Sequence, residues 1–442
     1  MKKRLLSVLV VLLICLNFVG CSKTGTDVEN SNKKIPKKAY IEYLEKNTKN
    51  LDVRDNEEFS SYTLLNSDVK DKEIFLIGEA HNIDVNYDIK WKFMKYFKKE
   101  TNFKYLIIEY GFLDSLNINK YVETGNENYL KKVFMPNLED YEFFRKMYRY
   151  NMSLSDKDKI TVVGIDTIPS IDASQYLVEK LKDKNLLLEQ KMDLQSLKEI
   201  YMQIQDVSKQ EYGDKSSEDK LKDNYMDLKK KVNNVYNKIY NKEKYYREIL
   251  NEEEFNFFIV LDNLKSNMDT FDFSKKGNSI EEIQDEAYLK REGVMYENFK
   301  KIYSHFQRGK YFGQMGLYHV FLHKVNINWF GARVNEGDKQ FRNKVISIPI
   351  FYKECTNSKG TPISTYKDSD DLDKVLKQQY SLIKLNGSKS PFSKELRWDF
   401  INTLQWSSSG KTLDIPRDGM TTDYFQYMII VKDANGATTI KD

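Results

Sequence analysis

The sequence predicts an α/β fold: a mainly parallel sheet flanked by helices, with a long helical insertion and a small C-terminal α+β portion. Three observations predict it. The short apolar runs IFLIG (74–78), YLII (105–108), ITVVGI (160–165) and KYFGQM (310–315) are separated by long helical stretches, the alternation that βα units produce. The runs are apolar on consecutive residues, as strands buried on both faces are. Each run also leads into residues able to do acid–base chemistry: Glu79 and His81, then Glu109, Asp166 and His319. In open parallel sheets ligands bind beyond the carboxyl ends of the strands, so these side chains are expected to converge on one cleft.

The N-terminus reads as an export signal, residues 1–20. Lys2, Lys3 and Arg4 make a cationic start, Leu5 to Val19 is apolar except for Asn17, and small Gly20 precedes Cys21. A charged start, a short apolar segment and a small-residue cleavage site define such signals. Cys21 directly after the small residue resembles the bacterial lipobox, whose thiol is acylated. An uncleaved membrane anchor is the alternative, against which the shortness of the segment counts. Residues 21–37 (CSKTGTDVENSNKKIPK) have almost nothing to bury and read as a flexible tether. The expected location is the extracytoplasmic face of the cell membrane, held by an N-terminal lipid.

Along the mature chain, 38–171 is expected to supply the first part of the α/β domain. Short helices at 38–48 and 57–66 lead into strand 74–78; helix 85–99, strand 104–109, helices through 112–150 and strand 160–165 follow. Residues 172–300 then carry apolar residues at helical spacing among many charges, Tyr225, Leu228, Val232 and Val235 for example. They read as a helical insertion, a hairpin with one or two further helices, with 211–219 (EYGDKSSED) as a solvated connector. Residues 301–355 return to the sheet through strands 310–315 and 345–352. Residues 356–442 form the C-terminal portion, with helix 371–379 and the runs YSLIKL (380–385) and YFQYMIIVK (424–432).

Composition excludes several classes of function. Once Cys15 leaves with the signal and Cys21 is acylated, only Cys355 is left, so neither an intramolecular disulfide nor a cysteine-rich metal site can form. The formal charge of +4 includes the signal's three cations; the remaining balance is near zero and points to no nucleic-acid partner. Phosphate-loop, dinucleotide and G-x-S-x-G signatures are absent from suitable contexts. Histidine and carboxylate chemistry remains.

The sequence holds four histidines, His81, His305, His319 and His323. His81 with Glu79 is either a site pair or a structural arrangement in which Glu79 caps the next helix. Glu109 ends an apolar run, where a carboxylate is costly without a partner or a solvated cleft; an imidazole would be such a partner, and a plain internal ion pair is the alternative. Asp166, before Thr167 and Pro169, could merely shape a turn. His319 and His323 at i, i+4 could share a helix face and bind zinc, although HExxH is missing. His305 is expected to meet the carbonyls at the end of its helix.

The motifs LIGEAH (76–81), IIE (107–109), FRKMYRYN (144–151) with VVGID (162–166), REGVMYEN (291–298) and KYFGQMGLYHV (310–320) resemble, in that order, the erythromycin esterase family. The wider erythromycin esterase-like superfamily includes ChaN-type haem-binding lipoproteins. The resemblance implies a hydrolase that adds water to an ester or lactone, with His81 as general base. Glu109 and Glu79 would orient it, His319 would complete the site, and Asp166 and Arg291 would support it or hold substrate. It implies that the helical insertion roofs the cleft and selects the substrate. In this chain Ala80 alone separates Glu79 from His81, and Met315-Gly316 stands where the family has a His-Asn pair. No cofactor is expected; a divalent metal is left open. A haem- or small-ligand-binding lipoprotein on the same fold is the alternative, and an inactive accessory protein a third.

Overall fold

The computed structural model describes residues 35–207, 215–270, 280–306, 309–337, 339–402, 404 and 411–440. The signal sequence, Cys21 and the tether up to residue 34 lie outside the described residues. Among the described residues no helix is long and apolar enough to cross a membrane. The chain divides into two units, one formed by described residues 35–109, 117–162 and 309–440, the other by 110–116 and 163–306.

In chain order the elements are α1 (Lys37–Asn47), β1 (Thr48–Asn50), β2 (Ile74–Glu79), α2 (Val85–Thr101), β3 (Tyr105–Gly111), α3 (Phe112–Thr124), α4 (Glu127–Leu130), α5 (Leu138–Ser153) and β4 (Thr161–Asp166). Six helices follow: α6 (Ser170–Lys182), α7 (Leu188–Val207), α8 (Lys215–Tyr240), α9 (Glu243–Leu250), α10 (Glu254–Thr270) and α11 (Ile280–His305). The chain ends with β5 (Tyr311–Gly316), α12 (Phe330–Gly337), β6 (Val345–Lys353), β7 (Cys355–Thr356), β8 (Pro362–Ile363), α13 (Leu372–Val375), β9 (Tyr380–Lys384), α14 (Thr421–Tyr424) and β10 (Tyr427–Lys432).

Eight strands form one sheet in the order β1-β9-β10-β6-β2-β5-β3-β4. The central neighbours are parallel, β10 with β6, β6 with β2, β2 with β5 and β5 with β3, whereas β9 runs antiparallel to both β1 and β10. The apolar runs explain the middle of the sheet: Ile74 to Ile77 are fully buried, as are Ile348 and Ile350 to Tyr352. Helix α2 is started by Asp84, whose side chain accepts the Val85 N–H, and ended by Asn102 in the left-handed region at φ 49°, where asparagine is tolerated. It buries Phe93, Met94 and Phe97, and the Phe97 ring stacks on Phe75 at 4.4 Å.

Several boundaries differ from the sequence reading. The helix expected at 57–66 is a 3-10 helix, Ser60–Leu65, and the unforeseen strand β1 precedes it. Strand β3 runs on to Gly111, two residues past the end expected at 109. The helix expected over 371–379 is one turn long, because Leu376 leaves helical geometry at ψ 68°. The C-terminal portion gives two strands, β9 and β10, to the main sheet itself.

Among the described residues the helical unit holds the six helices α6 to α11. Leu228, Val232 and Val235 are buried along one face of α8, and the Tyr225 hydroxyl donates to the Asn267 carbonyl at 2.9 Å. Residues 215–219, expected in a connector, already belong to α8. Asn263 and Asn298 pair their amides at 2.9 Å between α10 and α11, and Asn298 also donates to the Ile165 carbonyl. Such bonds satisfy polar groups that burial would otherwise penalise.

Candidate active site

Within the sheet unit, β2, β3, β5 and the 3-10 turn after β5 (Leu317–Val320) bring four of the expected residues together. The His81 Nδ1 lies 3.2 Å from Glu79 Oε1, and its Nε2 lies 3.6 Å from Glu109 Oε2. The other oxygen of Glu109 is 3.2 Å from His319 Nε2, and the Gly316 N–H donates to Glu109 Oε2 at 2.7 Å. Glu109 is thus held by an imidazole and a backbone amide. Exposure separates the members: 38% of the His81 side chain is accessible, against 2% for His319 and 14% for Glu109. His81 is therefore the imidazole that solvent and ligands reach.

Register brings these residues to one place. Glu79 of β2 pairs with Gly316 of β5, and Ile107 of β3 with Gly313 of β5, so Glu109 comes level with Met315, one residue short of Gly316. Gly316 leaves room beside the imidazole. A Cβ there would stand 3.1 Å from His81 Nε2, so the imidazole would have to shift by a few tenths of an ångström to admit one. Gly78 is more tightly constrained, since its Cβ would fall 2.5 Å from Val320.

Asp166 and Arg291 form a second cluster, in the helical unit. Arg291 donates to both carboxylate oxygens, Nε to Oδ1 at 2.7 Å and Nη2 to Oδ2 at 2.5 Å, the two-pronged geometry that guanidinium groups favour. Asp166 also accepts its neighbour Thr167's N–H at 2.6 Å, so the turn-shaping role holds alongside the ion pair. Nearby, burial together with the charge of Asp172 pushes the Asp114 carboxyl up to about 7.

Two histidine expectations are corrected. His319 and His323 do not share a helix face, because the turn carrying His319 ends at Val320. His323 instead bonds Glu336 through Nδ1 and faces Asp418 at 3.7 Å through Nε2, which rules out the pair as a zinc site. His305 lies flat on the Phe255 ring, with centroids 3.7 Å apart, rather than serving the helix carbonyls. Among the described residues no group of three or more His, Cys, Asp or Glu side chains is arranged to hold a metal ion. Cys355 is a buried free thiol.

The sequence profile of the erythromycin esterase family matches residues 99–314. Over that stretch the chain is similar to that family. No curated protein matches it by sequence. Three solved structures share the fold of this chain. A Bacillus cereus protein superposes with a TM-score of 0.70 at 18% identity, covering 92% of this chain and all of its own. A succinoglycan biosynthesis protein gives 0.66 at 15%, with the same coverage. A mutant of the erythromycin esterase EreC in an open conformation gives 0.58 at 13%, covering 87% of this chain and 96% of its own.

Sequence reasoning missed the layer behind these motifs. Gln314, 5% exposed on β5, donates to the second oxygen of Glu79 and, at 2.9 Å, to the Asn86 carbonyl. Buried Asn86 bonds the Tyr352 hydroxyl and the Ala80 carbonyl. A glutamine inside the buried run YFGQMG was the available signal, since a buried amide requires partners. Tyr352 gave none.

Proposed function

We propose that this protein is a hydrolase of the erythromycin esterase type that cleaves an ester or lactone by activating water at His81. The observation carrying this reading is the chain Glu79–His81–Glu109–His319, in which both histidines face carboxylates and only His81 is substantially exposed. Glu79 takes the Nδ1 proton of His81 in a hydrogen bond, which leaves the Nε2 lone pair to act as base. Nε2 removes a proton from water as the water oxygen bonds to the acyl carbon. The resulting imidazolium returns that proton to the departing alkoxide, so the acyl–oxygen bond breaks to give a carboxylic acid and an alcohol. Glu109 faces Nε2 and stabilises the imidazolium while it exists, and His319 and the Gly316 amide keep the carboxylate in place.

Asp166 and Arg291 act as a supporting ion pair of the helical unit. The substrate is a small ester or lactone, and a macrolide is one case of that class. Acylation of Cys21 holds the enzyme on the extracytoplasmic face of the membrane, a reading supported by the charged start, the apolar segment and the lipobox-like Gly20-Cys21. The test is a panel of esters and lactones offered to the full chain in detergent, with and without chelator. His81→Ala is expected to abolish cleavage while the thermal unfolding midpoint stays within a few degrees. Undiminished turnover in that variant would remove His81 from the mechanism.

A further inference from the structure

We propose that Asn86, Gln314 and Tyr352 form a positioning clamp that fixes the carboxylate of Glu79 and the peptide of Ala80, and through them the orientation and tautomer of His81. The proposal rests on the role given to His81 above. Strand β2 ends at Glu79, and by Asn82 the backbone has turned to φ 65°. Ala80, between the two site residues, lies beyond the strand ladder. Its polar groups are met by side chains instead: its N–H donates to the Tyr352 hydroxyl at 3.3 Å, and its carbonyl accepts from Asn86 Nδ2 at 2.7 Å. One residue on either side of that peptide stand Glu79 and His81.

The clamp closes on itself. The Tyr352 hydroxyl donates to Asn86 Oδ1 at 2.6 Å, and the Asn86 carbonyl accepts from Gln314 Nε2 at 2.9 Å. Gln314 gives its amide to Glu79 Oε2 as well, leaving Oε1 for His81. Its members come from β5, β6 and the first turn of α2, so three separate elements hold one end of β2. Asn86 is 1% exposed, and Tyr352 is wholly buried.

A purely structural core gains little from such a network, since apolar residues of like shape replace buried polar ones at little cost. The outer ends of this one contact a catalytic carboxylate and the peptide beside the catalytic imidazole. Burial, with the Glu79 charge adding, holds the Tyr352 hydroxyl well above its ordinary range, so it stays a donor at any working pH. A fixed Glu79 carboxylate at Nδ1 selects the tautomer with the proton on that nitrogen. Without the clamp, Glu79 and the 80–82 backbone gain freedom, and the selection weakens.

Tyr352→Phe and Gln314→Met remove one polar contact each with little change of shape, so either can decide if the other fails to fold. The primary readout is the 15N spectrum of the imidazoles in the full chain, with His81 assigned by its loss in His81→Ala. Wild type is expected to show the His81 tautomer protonated at Nδ1, and each variant an averaged mixture. On an ester that wild type cleaves, kcat should fall about tenfold with KM within twofold. A folded variant with an unchanged His81 tautomer signature overturns the clamp, whatever its activity. If wild type cleaves no ester but the variants still shift the tautomer, the hydrolase reading fails and the clamp stands.

Discussion

Glu109→Gln is the sharpest perturbation of the proposed mechanism, because it keeps the shape of the side chain and removes only its charge. In the wild type the carboxylate stands 3.6 Å from His81 Nε2. A unit charge pair at that distance is worth about 4–5 kcal/mol at an effective dielectric of 20. Because 38% of the His81 side chain is open to solvent, screening reduces this to about 2–3 kcal/mol. That interaction exists only once the imidazole is protonated in the transition state, so its loss lowers kcat/KM by roughly 30- to 150-fold. Glutamine adds a second effect. Gly316 N–H and His319 Nε2 each face one oxygen of Glu109, and an amide can accept with only one end, so folding loses about 1–2 kcal/mol. Initial rates of ester cleavage from pH 5 to 9, alongside thermal unfolding of the same samples, measure both. The acid limb of the rate profile should move to lower pH, since the imidazolium has lost an anionic neighbour. A folded variant with a rate within threefold of wild type and a superimposable profile would refute Glu109 as partner of the base.

The helical unit and the N-terminus give three further expectations. Arg291→Met deprives the Asp166 carboxylate, 15% exposed, of its guanidinium and should lower stability to urea by about 2–3 kcal/mol; Asp166→Leu in the same chain should recover most of that. Asp114, pushed up to about 7 by burial and then by Asp172, binds its proton more tightly in the folded than in the unfolded chain. Its contribution to stability is therefore greatest below about pH 4 and declines as pH rises to about 7. Asp114→Asn should remove that decline, so its unfolding midpoint gains several degrees on wild type between pH 5 and pH 8, and parallel curves would count against it. Cys21→Ser should move the protein from the membrane to the soluble fraction, and retention in the membrane pellet would argue for an uncleaved anchor.

Much of the sheet was legible because its strands are apolar on both faces. IFLIG, ITVVGI and VISIPIFY appear as strands within one or two residues of where the sequence puts them. Strand β1 was illegible: Thr48-Lys49-Asn50 carries no apolar signal and is a strand only because β9 pairs with it. The site divides in the same way. Glu79, His81 and Glu109 announce themselves as polar residues at the ends of apolar runs, whereas the i, i+4 spacing of His323 from His319 suggests a helix that the chain does not form there. The backbone leaves the 3-10 turn at Val320, and His323 then follows its nearest carboxylate, Glu336. Tyr352 was hidden for a different reason. In VISIPIFY it reads as one more core aromatic, and its hydroxyl matters only because Asn86, 266 positions away, is placed beneath it.

Sheet order explains why the site needs pieces from such distant parts of the chain. Strand β5 lies between β2 (ending at Glu79) and β3 (ending at Gly111), although it does not begin until Tyr311. Were β2 and β3 adjacent, Glu79 and Glu109 would stand side by side at the spacing of neighbouring strands, and two carboxylates that close resist joint ionisation. Inserting β5 separates them and supplies, between the two, a residue without a side chain. Gly316 leaves the space into which His81 Nε2 fits, and its amide binds the Glu109 oxygen facing that nitrogen. Two carboxylates can then address opposite nitrogens of one imidazole. Among the described residues the chain builds six α-helices after β4 and returns to the sheet two strands further in. The same excursion that creates the helical unit thus completes the His81 site in the sheet unit.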